Sequence, residues 1–433
     1  MRLLILLLWL LSQPLLAAET QEIELPSGES VPLTVFPGKG GDRLLLWLPS
    51  EFGLSPRQHA TAEALAAQGV TVWLPDLHAA WFLAPGRYSL NGVPPQAIAE
   101  LLARAAESGR KVFVMAPGRS VGLALRALRR YQQSGRDTAA IRGLIAIGPR
   151  LFRRTPQGGE ATEFLPVVDA SNLPIFILQP RNAGGFWGAR EVIERLQAGG
   201  APVFVRVLPG VRDAFNRRED TTAAEEETTR RLPAMVLEAM RQLDPLGGLP
   251  ARAVPLAGED AAPEAAMGGS LLRPRTPPEA APPLRLPGLD GRTIDLGDAR
   301  GKVVLVNFWA TWCPPCVEEI PSLQRLYRAR RDQGLEILAV EVGESPEQVR
   351  AFLADKPVDF PVLLDPDGKA LAAWGVHAFP TTFVLDRRHR IRFGGFGAFE
   401  WDRPEVMETL DRLLGEPACD DTQPCIQRPR ESR

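Results

Sequence analysis

Two cysteines three residues apart, in Cys313-Pro314-Pro315-Cys316, are the side chains of this sequence best placed to do chemistry. The run Val303-Val304-Leu305-Val306-Asn307-Phe308 reads as a buried strand and leads through Trp309-Ala310-Thr311-Trp312 into the pair, after which a helical pattern begins. A thiolate at a helix N-terminus is favoured by unpaired backbone N–H groups and the positive end of the dipole, which lowers its pKa below about 8.5. Prolines suit the first helical turn, where no N–H is needed. The i, i+3 spacing stacks the two sulfurs on one face, within reach of a disulfide. That is the layout for dithiol–disulfide exchange, with Cys313 as the exposed attacking thiol and Cys316 resolving the mixed disulfide. A zinc site would need a second ligand pair, and the other two cysteines, Cys419 and Cys425, are six residues apart in a polar tail. A purely structural bridge would not call for a flanking Trp and a strand-to-helix turn. No metal and no cofactor beyond the dithiol are expected.

The elements that must position this pair follow from the wider pattern. The chain has 433 residues, enough for two or three domains. A net charge of -2 gives no reason to expect nucleic acid as a partner. Arg2, the apolar run Leu3 to Leu11 and the small residues Ala17 and Ala18 match a cleaved secretory signal, expected over 1–18. The run is short of the roughly 20 apolar residues of a membrane span. Export places the cysteines in an oxidising compartment, the periplasm. Of three connectivities, the local one is expected, Cys313 with Cys316 and Cys419 with Cys425 as a structural staple, because each pair lies in its own segment.

Over 19–243, apolar runs such as Leu44–Leu48, Val70–Leu74, Val112–Met115, Leu144–Ile147, Ile175–Leu178 and Val203–Leu208 alternate with helical stretches. This pattern predicts an α/β domain with a mostly parallel sheet. Residues 244–283 shift to Pro, Ala, Gly and Glu and read as a semi-extended linker. A second α/β domain is expected over 284–415, with strands Val303–Phe308, Ile337–Val342 and Thr382–Leu385, followed by a polar tail over 416–433.

Trp309-Ala310-Thr311-Trp312-Cys313-Pro314-Pro315-Cys316 resembles the active-site stretch of thioredoxin-fold proteins, and more narrowly the exported reducing members of the TlpA/ResA and cytochrome c maturation kind. The resemblance spans the second domain. It implies a thioredoxin fold, with Pro321 kinking the first helix and Glu319 as a buried acid assisting proton transfer at the cysteines. It also implies a cis-proline loop at Phe379-Pro380-Thr381-Thr382-Phe383, whose backbone would hold an extended substrate peptide. Trp312, Phe379 and Pro380 are the substrate-binding residues on this reading. Asn307 stands where cytoplasmic thioredoxins carry a buried Asp. The implied activity is reduction of exported protein disulfides, apocytochrome c among them, with electrons from a membrane donor of the DsbD/CcdA type. The direction of electron flow rests on this resemblance alone.

Gly118-Arg119-Ser120-Val121-Gly122 lies between a strand and a helical run, the context of a G-x-S-x-G nucleophile elbow, and the first domain resembles the α/β-hydrolase fold. In that fold the acid and histidine follow the serine. The four histidines are His59, His78, His377 and His389, and none lies between Ser120 and the linker. Asp213 stands where the histidine is expected, and no carboxylate follows the strand ending near Gln179. Without a base the serine is a poor nucleophile, so this domain is expected to be non-catalytic. Two alternatives stay open: a serine esterase with an appended redox domain, or a binding module delivering specific clients to the redox domain.

Overall fold

The computed structural model describes residues 18–156, 158–256 and 272–417. The expected signal, apart from Ala18, and the Cys419/Cys425 pair lie outside the described residues. The chain divides into two compact units. The first comprises the described residues of Met1–Arg150, Pro166–Pro180 and Arg195–Asp260, and the second those of Leu151–Leu165, Arg181–Glu194 and Ala261–Arg433.

The first unit is built on eight strands: β1 (Glu19–Glu24), β2 (Ser30–Phe36), β3 (Arg43–Trp47), β4 (Val70–Pro75), β5 (Lys111–Pro117), β6 (Ile141–Ile147), β7 (Ile175–Asn182) and β8 (Val203–Arg212). They form one sheet in the order β1-β2-β4-β3-β5-β6-β7-β8. β1 and β2 pair antiparallel, as do β2 and β4, whereas β4, β3, β5, β6 and β7 run parallel. β3, β5 and β6 are almost wholly buried, because helices cover both faces of a parallel sheet. Those helices are α1 (Pro56–Ala66), the short α2 (Leu77–Ala80), α3 (Pro95–Ala106), α4 (Ser120–Gln133) and α6 (Ala223–Leu243), whereas α5 (Gly184–Ala198) has most of its residues in the second unit. Ser55 caps α1 by accepting from the Gln58 N–H, and Thr222 and Glu225 form a capping box on α6. The β1–β2 pair escaped the sequence pattern because β1 buries only Ile23 and so presents no apolar run.

The second unit contains β9 (Arg273–Ala280), β10 (Arg285–Pro287), β11 (Thr293–Asp295), β12 (Val303–Trp309), β13 (Leu335–Val342), β14 (Val362–Asp365), β15 (Thr381–Leu385) and β16 (Arg390–Phe396). Its helices are α7 (Pro314–Arg330), α8 (Pro346–Asp355), α9 (Lys369–Ala373) and α10 (Pro404–Gly415). Six strands form a mixed sheet in the order β14-β13-β12-β15-β16-β9, with β12 parallel to β13 and antiparallel to β15. Every residue of β12 is buried. Val303, Leu305 and Trp309 join one apolar cluster with α7 and α10, while Val304, Val306 and Phe308 join a second on the opposite face.

Two expectations need correction. The stretch 244–283 is not all linker: Arg273–Ala280 pairs antiparallel with β16 as the edge of the sheet. Its Pro274, Pro277 and Pro278 lack N–H donors, which an edge strand tolerates and a central one does not. The first domain is also not continuous over 19–243, since Leu151–Leu165 and Arg181–Glu194 belong to the second unit, where Trp187 packs against the apolar cluster that holds Phe308.

Candidate functional site

β12 ends at Trp309 and α7 starts at Pro314, so the intervening turn delivers Cys313 to the helix N-cap. Cys313 and Cys316 are joined in a disulfide with their Cα atoms 5.3 Å apart. The Cys316 N–H donates to Cys313 Sγ at 3.3 Å, so a first-turn donor with no intrahelical acceptor points at the sulfur. Cys313 is 4% exposed and Cys316 fully buried. The expected exposed thiol is therefore almost covered here, since its sulfur is tied to Cys316 within an apolar cluster that includes Trp309, Ala310 and, partly buried, Trp312 and Phe379. It is nonetheless the more accessible of the two. Trp312 and Phe379 meet edge to face at 5.6 Å. The Phe379–Pro380 peptide bond is cis, and β15 begins directly after it.

Glu319 follows Cys316 by one turn of α7 and is 2% exposed. Its Oε1 accepts from Asn307 Nδ2 at 2.7 Å, and its Oε2 accepts from Trp401 Nε1 at 3.0 Å and the Phe399 N–H at 3.3 Å. Burial pushes its pKa up from 4.5 to about 7, against the pull of these three donors. Asn307 Nδ2 also donates to Thr382 Oγ1 at 2.8 Å, linking the acid to the strand that follows the cis-proline. Asn307 can do this because it lies on the α7 face of β12, two residues from Leu305 and from Trp309. A cavity of about 830 Å³ lies beside Glu319, lined by Phe399, Arg403 and Val406 among others. Pro321 sits within α7, and Ser322 Oγ donates to the Phe399 carbonyl at 3.2 Å and accepts from the Trp401 N–H at 3.1 Å. These bonds pin the loop that supplies two of the three donors to Glu319.

Sequence reasoning missed a second pair of acids. Glu344 accepts from the Thr311 N–H at 2.8 Å and from Thr311 Oγ1 at 2.6 Å, so it holds the turn two residues before Cys313. Glu341, fully buried on β13 opposite Trp309, accepts from the Glu344 N–H at 3.4 Å. Burial, then the neighbouring Glu344, push its carboxyl pKa upward. The V-E-V-G-E spacing was the one available signal, but nothing local ties it to Thr311, 33 residues away.

The elbow of the first unit holds its serine in a backbone hydrogen bond. Ser120 is fully buried, and its hydroxyl donates to the Pro49 carbonyl at 2.5 Å. His78 bonds Ser89 Oγ at 2.9 Å, not Ser120, and Asp213 forms an ion pair with Arg150. No base therefore reaches the serine among the described residues.

A model described as the AhpC/TSA family matches residues 277–393. Thiol-disulfide oxidoreductase ResA of Bacillus subtilis (strain 168) is 42% identical over 111 residues, 26% of this chain and 62% of the relative. ResA of Geobacillus thermodenitrificans (strain NG80-2) is 43% identical over 112 residues, 26% of this chain and 64% of the relative. A solved structure described as a thiol:disulfide interchange protein DsbE, from Chlorobium tepidum, is 30% identical, covers 32% of this chain and 97% of its own, and has a TM-score of 0.31. The chain spans less than two thirds of the length of the curated relatives it matches. Over the stretch that these matches cover, the second unit is similar to ResA-type thiol-disulfide oxidoreductases.

Proposed function

We propose that this chain is an exported, periplasmic thiol–disulfide oxidoreductase that reduces protein disulfides. The observation that carries the reading is the Cys313–Cys316 pair at the start of α7, with a buried acid of pKa about 7 one turn further on. In the reduced form, the Cys313 thiolate attacks one sulfur of a client disulfide and expels the other as a thiolate, which takes up a proton. Glu319 accepts the Cys316 proton, and the Cys316 thiolate attacks Cys313 Sγ. This forms the internal disulfide and releases the second client thiolate, so the client gains two electrons and two protons. An acid half-ionised near neutral pH can both accept and return that proton. The backbone after cis-Pro380, walled by Trp312 and Phe379, would hold an extended client by strand-like pairing. Apocytochrome c is a fitting client, and a membrane dithiol donor of the DsbD/CcdA type would return the pair to its reduced state. The first unit, with its parallel sheet and its Gly118–Gly122 turn between β5 and α4, is read as a hydrolase-like fold that does no acyl transfer.

Insulin-disulfide reduction by the full chain tests this. Cys313→Ser should abolish turnover, and Cys316→Ser should accumulate mixed disulfides with clients. Undiminished turnover by Cys313→Ser would sink the proposal.

A further inference from the structure

Two carboxyls that the exchange steps leave unused lie at the end of β13. Ile337 and Ala339 of that strand join the apolar cluster that holds Cys313 and Cys316, whereas Leu338 and Val340 join the one on the opposite face. By this alternation Glu341 projects on the disulfide's face, beside Trp309 of β12. Glu341 is fully buried, and its Oε1 has no hydrogen-bond partner among the described residues. A buried carboxylate oxygen without a donor is costly. The neighbouring charges do not relieve it. Glu344 and Asp365 are themselves acids, and Arg181, the cation that bears on Glu341, lies over the rings of Phe186 and Trp187, 4.3 and 4.6 Å from their centres. A proton removes the conflict. It makes Glu341 a neutral acid with an O–H to give, and the neighbouring Glu344 carboxylate is the acceptor. Burial, and after it Glu344, favours the same protonated form.

Glu344 gives both its oxygens to Thr311, one to the N–H at 2.8 Å and one to the hydroxyl at 2.6 Å. Thr311 is the second residue of a turn closed by the Cys313 N–H on the Ala310 carbonyl at 3.2 Å. Trp312 and Cys313 follow it directly, so one grip sets both the attacking sulfur and the ring proposed to wall the client. Glu344 is itself held on three sides. Before it, Gly343 turns at φ +90°, where a Cβ would stand 2.7 Å from the Trp187 ring, and its N–H donates to the Asp365 carbonyl at 3.2 Å. After it, Ser345 caps α8 in a capping box with Gln348. From the strand, Glu341 Oε2 accepts the Glu344 N–H at 3.4 Å.

We propose that Glu344 is a positioning residue for disulfide exchange, fixing the turn that presents Cys313, and that Glu341 as a neutral acid holds Glu344 there. This rests on the reading of Cys313 and Cys316 as the exchange pair. The reduced full chain, wild type and variants, is assayed for insulin-disulfide reduction and for iodoacetamide alkylation at neutral pH, followed on the Cys313 peptide by mass spectrometry. Glu344→Ala should slow both about tenfold, because a displaced sulfur loses the helix-start N–H that favours its thiolate. A merely loosened fold would instead expose Cys313 and speed its alkylation. Glu344→Gln can still accept from the Thr311 N–H and donate to its hydroxyl, so it should stay within about threefold of wild type, as should Glu341→Gln. Thr311→Val removes the hydroxyl donor alone; it should slow both rates about threefold, and it decides the matter if Glu344→Ala fails to fold. Alkylation of folded Glu344→Ala or Thr311→Val as fast as wild type or faster would overturn the proposal, as would Gln variants as slow as Glu344→Ala. Wild type that alkylates with this pattern yet reduces no insulin would refute the reductase reading and leave the positioning role standing.

Discussion

Replacing Glu319 by Gln should remove a specific part of the pH dependence of stability. In the folded chain the Glu319 pKa is raised from 4.5 to about 7, with burial as the leading cause. The unfolded chain exposes the group and returns it to its ordinary value, about 4.3–4.5. Because the folded pKa is the higher one, the neutral acid's contribution is fully present below about pH 4.5 and is lost as pH rises through about 7. At 1.36 kcal/mol per pH unit, the rise amounts to about 3 kcal/mol. The residue is 2% exposed, so solvent screening does not reduce the figure much. Glutamine keeps the shape but cannot ionise. It also turns one oxygen into an NH2 group facing either Asn307 or the Trp401 and Phe399 donors, a clash worth about 1–3 kcal/mol at every pH. The two effects separate cleanly, one being an offset and the other a slope. Urea unfolding of the oxidised full chain, wild type and Glu319→Gln, at intervals from pH 4.5 to 8 should show the gap between the two stabilities shrinking by about 3 kcal/mol as pH rises. Parallel curves across that range would refute the assignment of a buried acid titrating near neutrality.

Two further outcomes follow from the same geometry. Asn307→Ala deletes a donor that lowers the Glu319 pKa, so the pH midpoint of insulin-disulfide reduction governed by this acid should move alkaline, with a stability loss of about 1–3 kcal/mol. An unmoved or acid-shifted midpoint would contradict the network. Ser120→Ala removes only the bond to the Pro49 carbonyl, so it should cost about 1 kcal/mol in stability and leave disulfide reduction unchanged. Short acyl esters should be turned over by neither form. Ester turnover that vanishes in Ser120→Ala would restore the esterase alternative.

What could be read in the residues was local. Cys313 and Cys316 announced themselves because strand, turn and helix start are all encoded within about a dozen residues, and Glu319 lies one helical turn from the second cysteine. The alternation of apolar runs and helical stretches gave the α/β class of both units for the same reason. Absence of a histidine between Ser120 and the linker already argued against a triad, although only the fold reveals that the hydroxyl is spent on Pro49. The edge strand Arg273–Ala280 was hidden, because a proline-rich run becomes a strand only if a neighbour, here β16, supplies the pairing.

The chemistry of the site divides along the same line. Sequence by itself determined that a dithiol stands at a helix start with a carboxyl one turn away. Tertiary structure decided what kind of acid that carboxyl is, since Trp401 and Phe399 reach it from 82 and 80 residues away and Asn307 from a neighbouring strand. A pKa depends on how much water is excluded and which donors remain, and both are set by segments distant in the chain.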